Sequence, residues 1–595
     1  MKSTPYSQKR MPIPTSAIAY FSMEIGLEPS IPTYSGGLGV LAGDTIRAAA
    51  DVGLPMVAIT LVHRKGYFEQ ALDEAGGQHE RPAHWDPSTR LTEVGERVWV
   101  ELEGRTVHIR AWRYDVMGVS GKVVPVYLLD TDLPENSDYD RTLTDTLYGG
   151  DGRYRLSQEV VLGMGGAALL RVLGYTHGVT HHVNEGHAAL VSLSLLEHRL
   201  GARSAWELEE ADVEAVRASC VFTTHTPVPA GHDRFDRSLA TRLLGEERMT
   251  LLERAGALSD GSLNMTVVAL RFSRYVNAVA RRHQEVSQEM FPDYRVSAVT
   301  NGVHAATWTS SHFRDLFDRH IPGWREDNFL LRHAVDISLD EIRDTHMLAK
   351  RELLEEVRAR AGVELDPAAL TIGFARRATA YKRADLVLTD PRRLRDIARR
   401  VGPLQIVFAG KAHPRDEVGK GLIRSIAEAA GSLRDEVRIV YLENYDMRLG
   451  GLLTSGTDLW LNNPIRPMEA SGTSGMKAAL NGVPSLSVLD GWWVEGCLEG
   501  TTGWSIGDDA KLPQDPERDI PELYLKLERV ILPLFHAMPY SYASVMRNAI
   551  AINGSYFNTQ RMVLQYAMSA YGMDGNATRN PTALDGAARA GAAAR

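Results

Sequence analysis

A carboxylate, a run of small residues and a lysine stand together in one stretch, MEASGTSGMKAALNGVPSLSVLDG, residues 468–491. Glu469 opens it. Ala470, Ser471, Gly472, Thr473, Ser474 and Gly475 form a loop with little side-chain bulk, and Met476-Lys477 start a helical run that reaches Asn481. Gly482 reads as the helix stop and VPSLSVLDG as a buried strand. A loop this bare exposes its backbone N–H groups, which at a helix N-terminus bind anions such as phosphate. A lysine beside that pocket suits an aldehyde cofactor carrying a phosphate. Pyridoxal 5'-phosphate would be held by a Schiff base to Lys477 and by its phosphate on the loop. A nucleotide-sugar loop with an ordinary surface lysine fits the same residues as well.

A second group is cationic. Arg376, Arg377, Lys382 and Arg383 follow the apolar run LTIGFAR, residues 370–376. Four cations leaving one strand repel each other unless an anion is bound among them; the alternative is a solvated helix face. Gly36, Gly37, Gly39 and Gly43 lie between the strand-like AIAYFSMEIGL and a helical run from Asp44. That pattern suits a sugar or phosphate, or simply a tight turn. Polar residues also stand at the ends of other predicted strands: Asn184, Glu185 and His187 after GVTHHVN, His225 after VFTT, Asn301 and Trp308 in VSAVTNGVHAATW, and Tyr445 after VRIVYLE. Strand ends of this kind face the ligand crevice of open α/β sheets. His181, His182 and His187 match no zinc spacing, so no metal is expected.

The elements that must carry these residues alternate. Strands at 370–376, 404–410, 437–443, 458–463 and 484–489 are separated mostly by helical segments, which predicts a parallel sheet covered on both faces, Rossmann-like but without a GxGxxG fingerprint. Strands also recur in the first half, with an antiparallel excursion over 97–130. At 595 residues more than one domain is expected. We expect a flexible 1–16, a domain over 17–310, a second over 311–545, helices at 546–574 that cross back, and a disordered tail from Gly575. The net charge of −9 argues against a nucleic-acid partner. Two cysteines, Cys220 and Cys497, suit a reducing cytoplasm. The first residues lack the apolar core of a signal peptide, and no apolar run approaches the roughly 18 residues of a membrane span.

These motifs, in the same order over residues 17 to 570, resemble the α-glucan (glycogen, starch, maltodextrin) phosphorylases, in a short bacterial-type form. The resemblance implies two Rossmann-like domains facing across a cleft, the glycosyltransferase B-type fold. It implies reversible phosphorolysis of an α-1,4-glucan at its non-reducing end to α-glucose 1-phosphate, with retention. Lys477 would hold pyridoxal phosphate, near Thr473, Ser474, Gly475, Tyr445, Arg376 and Trp308. Arg377 and Lys382 would grip the substrate phosphate, and Gly36 and Gly37 would line the sugar and phosphate site. His225 would touch the sugar, Asn301 its 6-hydroxyl, and Glu469, Ser471 and Gly472 its 3- and 4-hydroxyls, with Asn184 and His187 near the cleft. The cofactor phosphate would relay a proton through the substrate phosphate. A phosphate monoester titrates near ~6, which suits that task. Retaining hydrolysis by water instead needs two carboxylates about 5 Å apart, and no such pair is evident. The chain departs from the animal enzymes at Gly26, Arg376, Ser474-Gly475 and Asp446. It also lacks their regulatory extension, which argues against control by phosphorylation or AMP and leaves a homo-oligomer open. The competing expectations are a nucleotide-sugar-dependent glucan transferase of the same fold without the cofactor, and a non-catalytic glucan-binding protein.

Overall fold

The fold is that of a computed structural model describing residues 16–507 and 515–573. The expectations for residues 1–15 and for the tail from Gly575 lie outside the described residues.

The first half builds a nine-stranded sheet. Its strands are β1 (Ala17–Phe21), β2 (Met56–Leu61), β3 (Thr92–Leu102), β4 (Arg105–Met117), β5 (Val123–Asp130), β6 (Val179–Asn184), β7 (Cys220–Thr223), β8 (Tyr275–Ala278) and β9 (Val296–Ala298). The spatial order is β9-β8-β7-β6-β1-β2-β5-β4-β3. Pairing is parallel from β9 to β5 and antiparallel through β4 and β3. The second half builds a six-stranded, wholly parallel sheet. It comprises β10 (Leu370–Ala375), β11 (Leu404–Ala409), β12 (Arg438–Leu442), β13 (Leu459–Asn462), β14 (Ser485–Val488) and β15 (Gly503–Ile506), in the order β12-β11-β10-β13-β14-β15. MVAITL and LQIVFA are buried at every position, as strands sandwiched between helix layers must be.

Two boundaries differ from the sequence reading. The helix after the first glycine loop, α1 (Gly37–Val52), starts seven residues before Asp44. Gly39 and Gly43 are therefore helical, and their missing side chains serve packing. A Cβ at Gly39 would strike the Glu24 carboxylate and Tyr34, and one at Gly43 would strike the Gly26 carbonyl. Likewise α2 (Ser474–Leu480) begins before Met476, so Lys477 stands a turn inside it. β15 was not anticipated: four residues after a Gly/Thr-rich turn carry too little pattern.

Two of the ties between the halves frame the fold. A hairpin from the first half, Glu69–Leu72 with Gln78–Arg81, reaches the loops of the second. Gln70 donates to the Gly410 carbonyl at 2.9 Å and accepts from Asn444 N–H at 2.9 Å, while Gln78 does the same with Ala412 at 2.9 Å each way. The last helix, α3 (Thr559–Ser569), returns to the first sheet. Met562, Val563 and Tyr566 share a core with Ile46 and Ala49 of α1, and Tyr571 bonds His182 at 2.7 Å. No helix among the described residues is long and apolar enough to cross a membrane.

One buried ion cluster anchors the second sheet. Asp458, just before β13, accepts from Lys350 Nζ at 2.6 Å, His346 Nε2 at 2.9 Å and Thr371 N–H at 2.7 Å. Lys350 is wholly buried. Asp458→Ala leaves that ammonium unpaired in the core, and the expected loss of stability is about 3–5 kcal/mol. The check is the denaturant midpoint of unfolding, which should fall without a change in slope.

Candidate active site

The C-terminal ends of the two parallel sheets face one cavity of about 900 Å³. Sixteen of the eighteen residues to which the resemblance gives a site role line it, all but Asn184 and Gly475. It holds Gly36, Gly37, His187, His225, Asn301 and Trp308 from the first half. From the second come Arg376, Arg377, Lys382, Tyr445, Glu469, Ser471, Gly472, Thr473, Ser474 and Lys477.

The two exceptions lie just behind the wall. Asn184 is buried at the end of β6. Its carbonyl accepts from His225 Nε2 at 2.7 Å and its amide donates to Ser22 Oγ at 3.1 Å. Asn184 therefore orients His225 instead of meeting the cavity. Gly475 faces the core, where a Cβ would sit 2.8 Å from the Trp492 ring and 3.0 Å from Ser485 Oγ. It is small for packing.

The cation group divides. Glu469 accepts from both Arg376 and Lys382. Burial pushes the Glu469 carboxyl up, but Arg376 and Lys382 outweigh it and hold it down at about 2. Burial and then Arg376 pull Lys382 down to about 7 against the attraction of Glu469. Arg377 has no hydrogen-bond or ion-pair partner among the described residues. It lines the cavity, with its guanidinium 3.4 Å from where a side chain on Gly36 would begin. Arg376 Nη1 and Asn301 Oδ1 are buried without partners. The site thus offers unused donors on Arg376 and Arg377 and an unused acceptor on Asn301, around one carboxylate shared by two cations, an arrangement that receives an anion and a polar ring.

Lys477 is buried with no hydrogen-bond partner among the described residues, and its ammonium lies 3.6 Å from the Trp308 ring centroid. Trp308 is fixed by its indole N–H on Asp44 at 2.7 Å, and Asn481 at the end of α2 donates to the Trp308 carbonyl at 2.8 Å. Burial chiefly pulls Lys477 down to about 8. A buried, partly neutral amine without a hydrogen-bond partner is a poor surface lysine and a good nucleophile toward a carbonyl carbon. Two departures have plain structural reasons. Asp446 caps the helix Met447–Gly456 by accepting from Leu449 N–H at 2.7 Å. Gly26 leaves room for the Gly39 carbonyl and Met447 Sδ, each 3.3 Å from where its Cβ would be.

The strand-end residues of the first half are held by Glu185. It accepts from Gly186 N–H at 3.0 Å, His225 N–H at 2.7 Å and Thr226 Oγ at 3.0 Å. Its φ of 71° is a conformation that side chains rarely adopt, and such strain collects at functional sites. Burial pushes the His225 ring down to about 3, so it is neutral.

Sequence reasoning missed one part of the wall. Arg155 bonds Asp233 at 2.9 Å and Glu159 at 3.2 Å, and His187 Nε2 lies 3.3 Å from Asp233. Burial pushes Glu159 well up, so it keeps its proton. Asp233 is raised by burial but lowered more by Arg155, to about 2. Tyr67, Tyr148 and Lys411 also line the cavity. Lys411 Nζ donates to the Phe68 carbonyl at 2.8 Å.

Two largely parallel sheets meeting across an anion-receiving, polar cleft define a glycosyltransferase of the B-type fold, the type of the phosphorylases. Residues 232–499 match the carbohydrate phosphorylase family. The chain is 41% identical to the maltodextrin phosphorylase of Thermococcus litoralis, with 93% of this chain and 70% of that protein covered. It is 36% identical to the glycogen phosphorylase of Mycobacterium tuberculosis (94% and 71% covered) and 34% identical to that of Aquifex aeolicus (93% and 86% covered). The chain belongs to the carbohydrate phosphorylase family.

Proposed function

We infer that the chain is an α-glucan phosphorylase, a glycosyltransferase that moves the non-reducing-end glucosyl unit of an α-1,4-glucan to inorganic phosphate. It yields α-glucose 1-phosphate with retention and runs in both directions. The observation that carries this reading is the unpaired Arg377 beside Lys382 and Glu469, in the same cavity as the buried, unpaired Lys477. A reaction with phosphate as reactant uses such cations. Hydrolysis would instead use free carboxylates, and here Glu469 and Glu185 are already engaged by cations and N–H groups. The similarity to maltodextrin and glycogen phosphorylases supports the same activity and does not favour a nucleotide-sugar transferase.

Enzymes of this family are generally dependent on pyridoxal phosphate. The residues present fit it: Lys477 would hold the aldehyde carbon, with Thr473, Ser474, Tyr445, Arg376 and Trp308 around it and Gly475 supporting the loop. When bound, the cofactor supplies a phosphate monoester that gives and takes a proton near neutrality. Arg377 and Lys382 bind the substrate phosphate and offset the repulsion between two dianions. Asn301 reads the sugar 6-hydroxyl, and Glu469, Ser471 and Gly472 read its 3- and 4-hydroxyls. His225 touches the ring, held by Asn184. Gly36 and Gly37 let backbone approach the sugar and phosphate, and His187 with Asp233 flanks the glucan. Residues 17–310 and 311–545 are taken as the two domains and the cytoplasm as the location.

The test is release of glucose 1-phosphate from maltodextrin by the purified protein. Product is expected only when inorganic phosphate is present. Glucose released without phosphate would overturn the reading.

A further inference from the structure

The segment after β14, residues 490–496, lies outside the cavity but is bonded to both sides of it. Asp490 Oδ2 accepts from the Glu469 backbone N–H at 2.9 Å, and its Oδ1 accepts from Gly491 N–H at 2.9 Å, which fixes the carboxylate in the turn. Two residues on, Trp492 N–H donates to the Ser471 carbonyl at 2.9 Å. Gly491 has φ of 54°, and a Cβ there would run into that same Ser471 carbonyl. One turn therefore grips the Glu469–Ser471 loop at both ends.

The segment continues as the short helix Trp493–Gly496, and its Glu495 reaches the other half of the protein. Both Glu495 oxygens accept from Thr300 Oγ at 2.9 Å, and Oε1 accepts from Arg281 N–H at 3.0 Å. Arg281 Nε lies 3.4 Å from Oε2. Thr300 is buried and adjoins Asn301. The carbonyls of Thr300 and Asn301 both accept from Arg561, at 2.7 and 2.9 Å, so a shift of this strand end moves Asn301 with it. Glu469 and Asn301 follow strands of opposite sheets, and this segment is bonded to both strand ends.

We infer that Asp490 and Glu495 are positioning residues for sugar specificity. Together they fix the distance between the Glu469–Ser471 loop and Asn301, so that the 3,4-edge and the 6-edge of one glucose ring are read at the same time. This rests on the phosphorylase reading of the cavity. Neither residue lines the cavity, so their loss should change which sugars are accepted more than whether the protein folds.

The experiment compares kcat/KM for α-glucose 1-phosphate and for its 6-deoxy and 3-deoxy analogues, in the synthetic direction with a maltodextrin acceptor. The wild-type holoenzyme should reject each analogue by about 10²-fold, because the buried groups that bind the missing hydroxyl are left unpaired. Glu495→Ala should lower kcat/KM for glucose 1-phosphate about 30-fold and that for the 6-deoxy analogue less than about 3-fold, collapsing that discrimination. Glu495→Gln should restore it, since an amide oxygen still accepts from Thr300 and Arg281. Asp490→Ala should collapse discrimination against the 3-deoxy analogue instead, with Asp490→Asn intermediate because it keeps one acceptor oxygen. Should Glu495→Ala not fold, Thr300→Val removes the same bond with shape kept and carries the prediction. Variants that retain wild-type discrimination, or lose activity on all three substrates equally, would overturn the inference. A wild-type enzyme inactive on glucose 1-phosphate would instead overturn the reading of the site.

Discussion

Replacing Arg377 with alanine lowers kcat/KM for phosphorolysis on the order of 10³-fold, the scale expected when a preorganised charged donor is removed from a developing phosphate charge. The cause is specific to this arginine. Arg376 and Lys382 already share Glu469, so an incoming anion must compete for them. Arg377 makes no hydrogen bond or ion pair among the described residues, and its donors are available to the ligand without breaking an existing bond. Arg377→Lys should recover only a small part of the loss, because a point charge does not reproduce the planar fork. Lys382→Ala should also abolish most turnover, but it leaves Glu469 buried with one cation fewer, so its loss mixes chemistry with local instability. The clean measurement is steady-state kinetics against phosphate concentration for Arg377→Ala, with cofactor content checked by absorbance. A variant that keeps a tenth of wild-type kcat/KM would place the phosphate elsewhere in the cleft.

That prediction draws on residues the sequence already grouped, and the reason is physical. A parallel sheet brings the ends of all its strands to one edge, so residues following β6, β7, β9, β10 and β13 must converge once the β–α alternation is recognised. The apolar runs that carry the alternation are local, and so are the glycine-poor and glycine-rich breaks between them. Packing roles were not local. Gly39 and Gly43 look like a loop in sequence, yet they lie within α1, and they are glycine because Glu24 and Gly26 pass close by. Asn184 stands in the right motif but turns inward to hold His225. Arg155 and Asp233 escaped notice because they come from separate elements and neither carries a motif of its own, although His187, which they adjoin, was already marked. Their charges make sense only once Glu159, buried beside them, is seen to keep a proton. Likewise nothing near Glu495 marks it as a partner of Thr300; only the approach of the two halves does.

Lys477→Ala is expected to remove cofactor binding and turnover together, by about 10⁴-fold or more, since both the tether and the proton-transfer group depend on it. The same lysine makes a prediction in pH that an ordinary surface lysine does not. Burial, and secondarily Arg47, pull its amine down to about 8 while Asp44 pulls it part of the way back. Only the neutral amine attacks an aldehyde. In cofactor-free protein the neutral fraction of Lys477 therefore rises tenfold per pH unit below about 8 and levels off above it. An exposed lysine would go on rising towards roughly 10.4. The sign follows from desolvation, which disfavours the charged form and so favours the reactive one at neutral pH. The rate of pyridoxal phosphate uptake by the apoprotein, followed by absorbance from pH 6 to 10, should bend near 8. Borohydride reduction should then trap the adduct on Lys477 in the wild-type chain and nowhere in Lys477→Ala. A rate still climbing at pH 10 would mean that the amine is solvated in the apoprotein. The burial that makes it reactive would then arise only after the cofactor has entered.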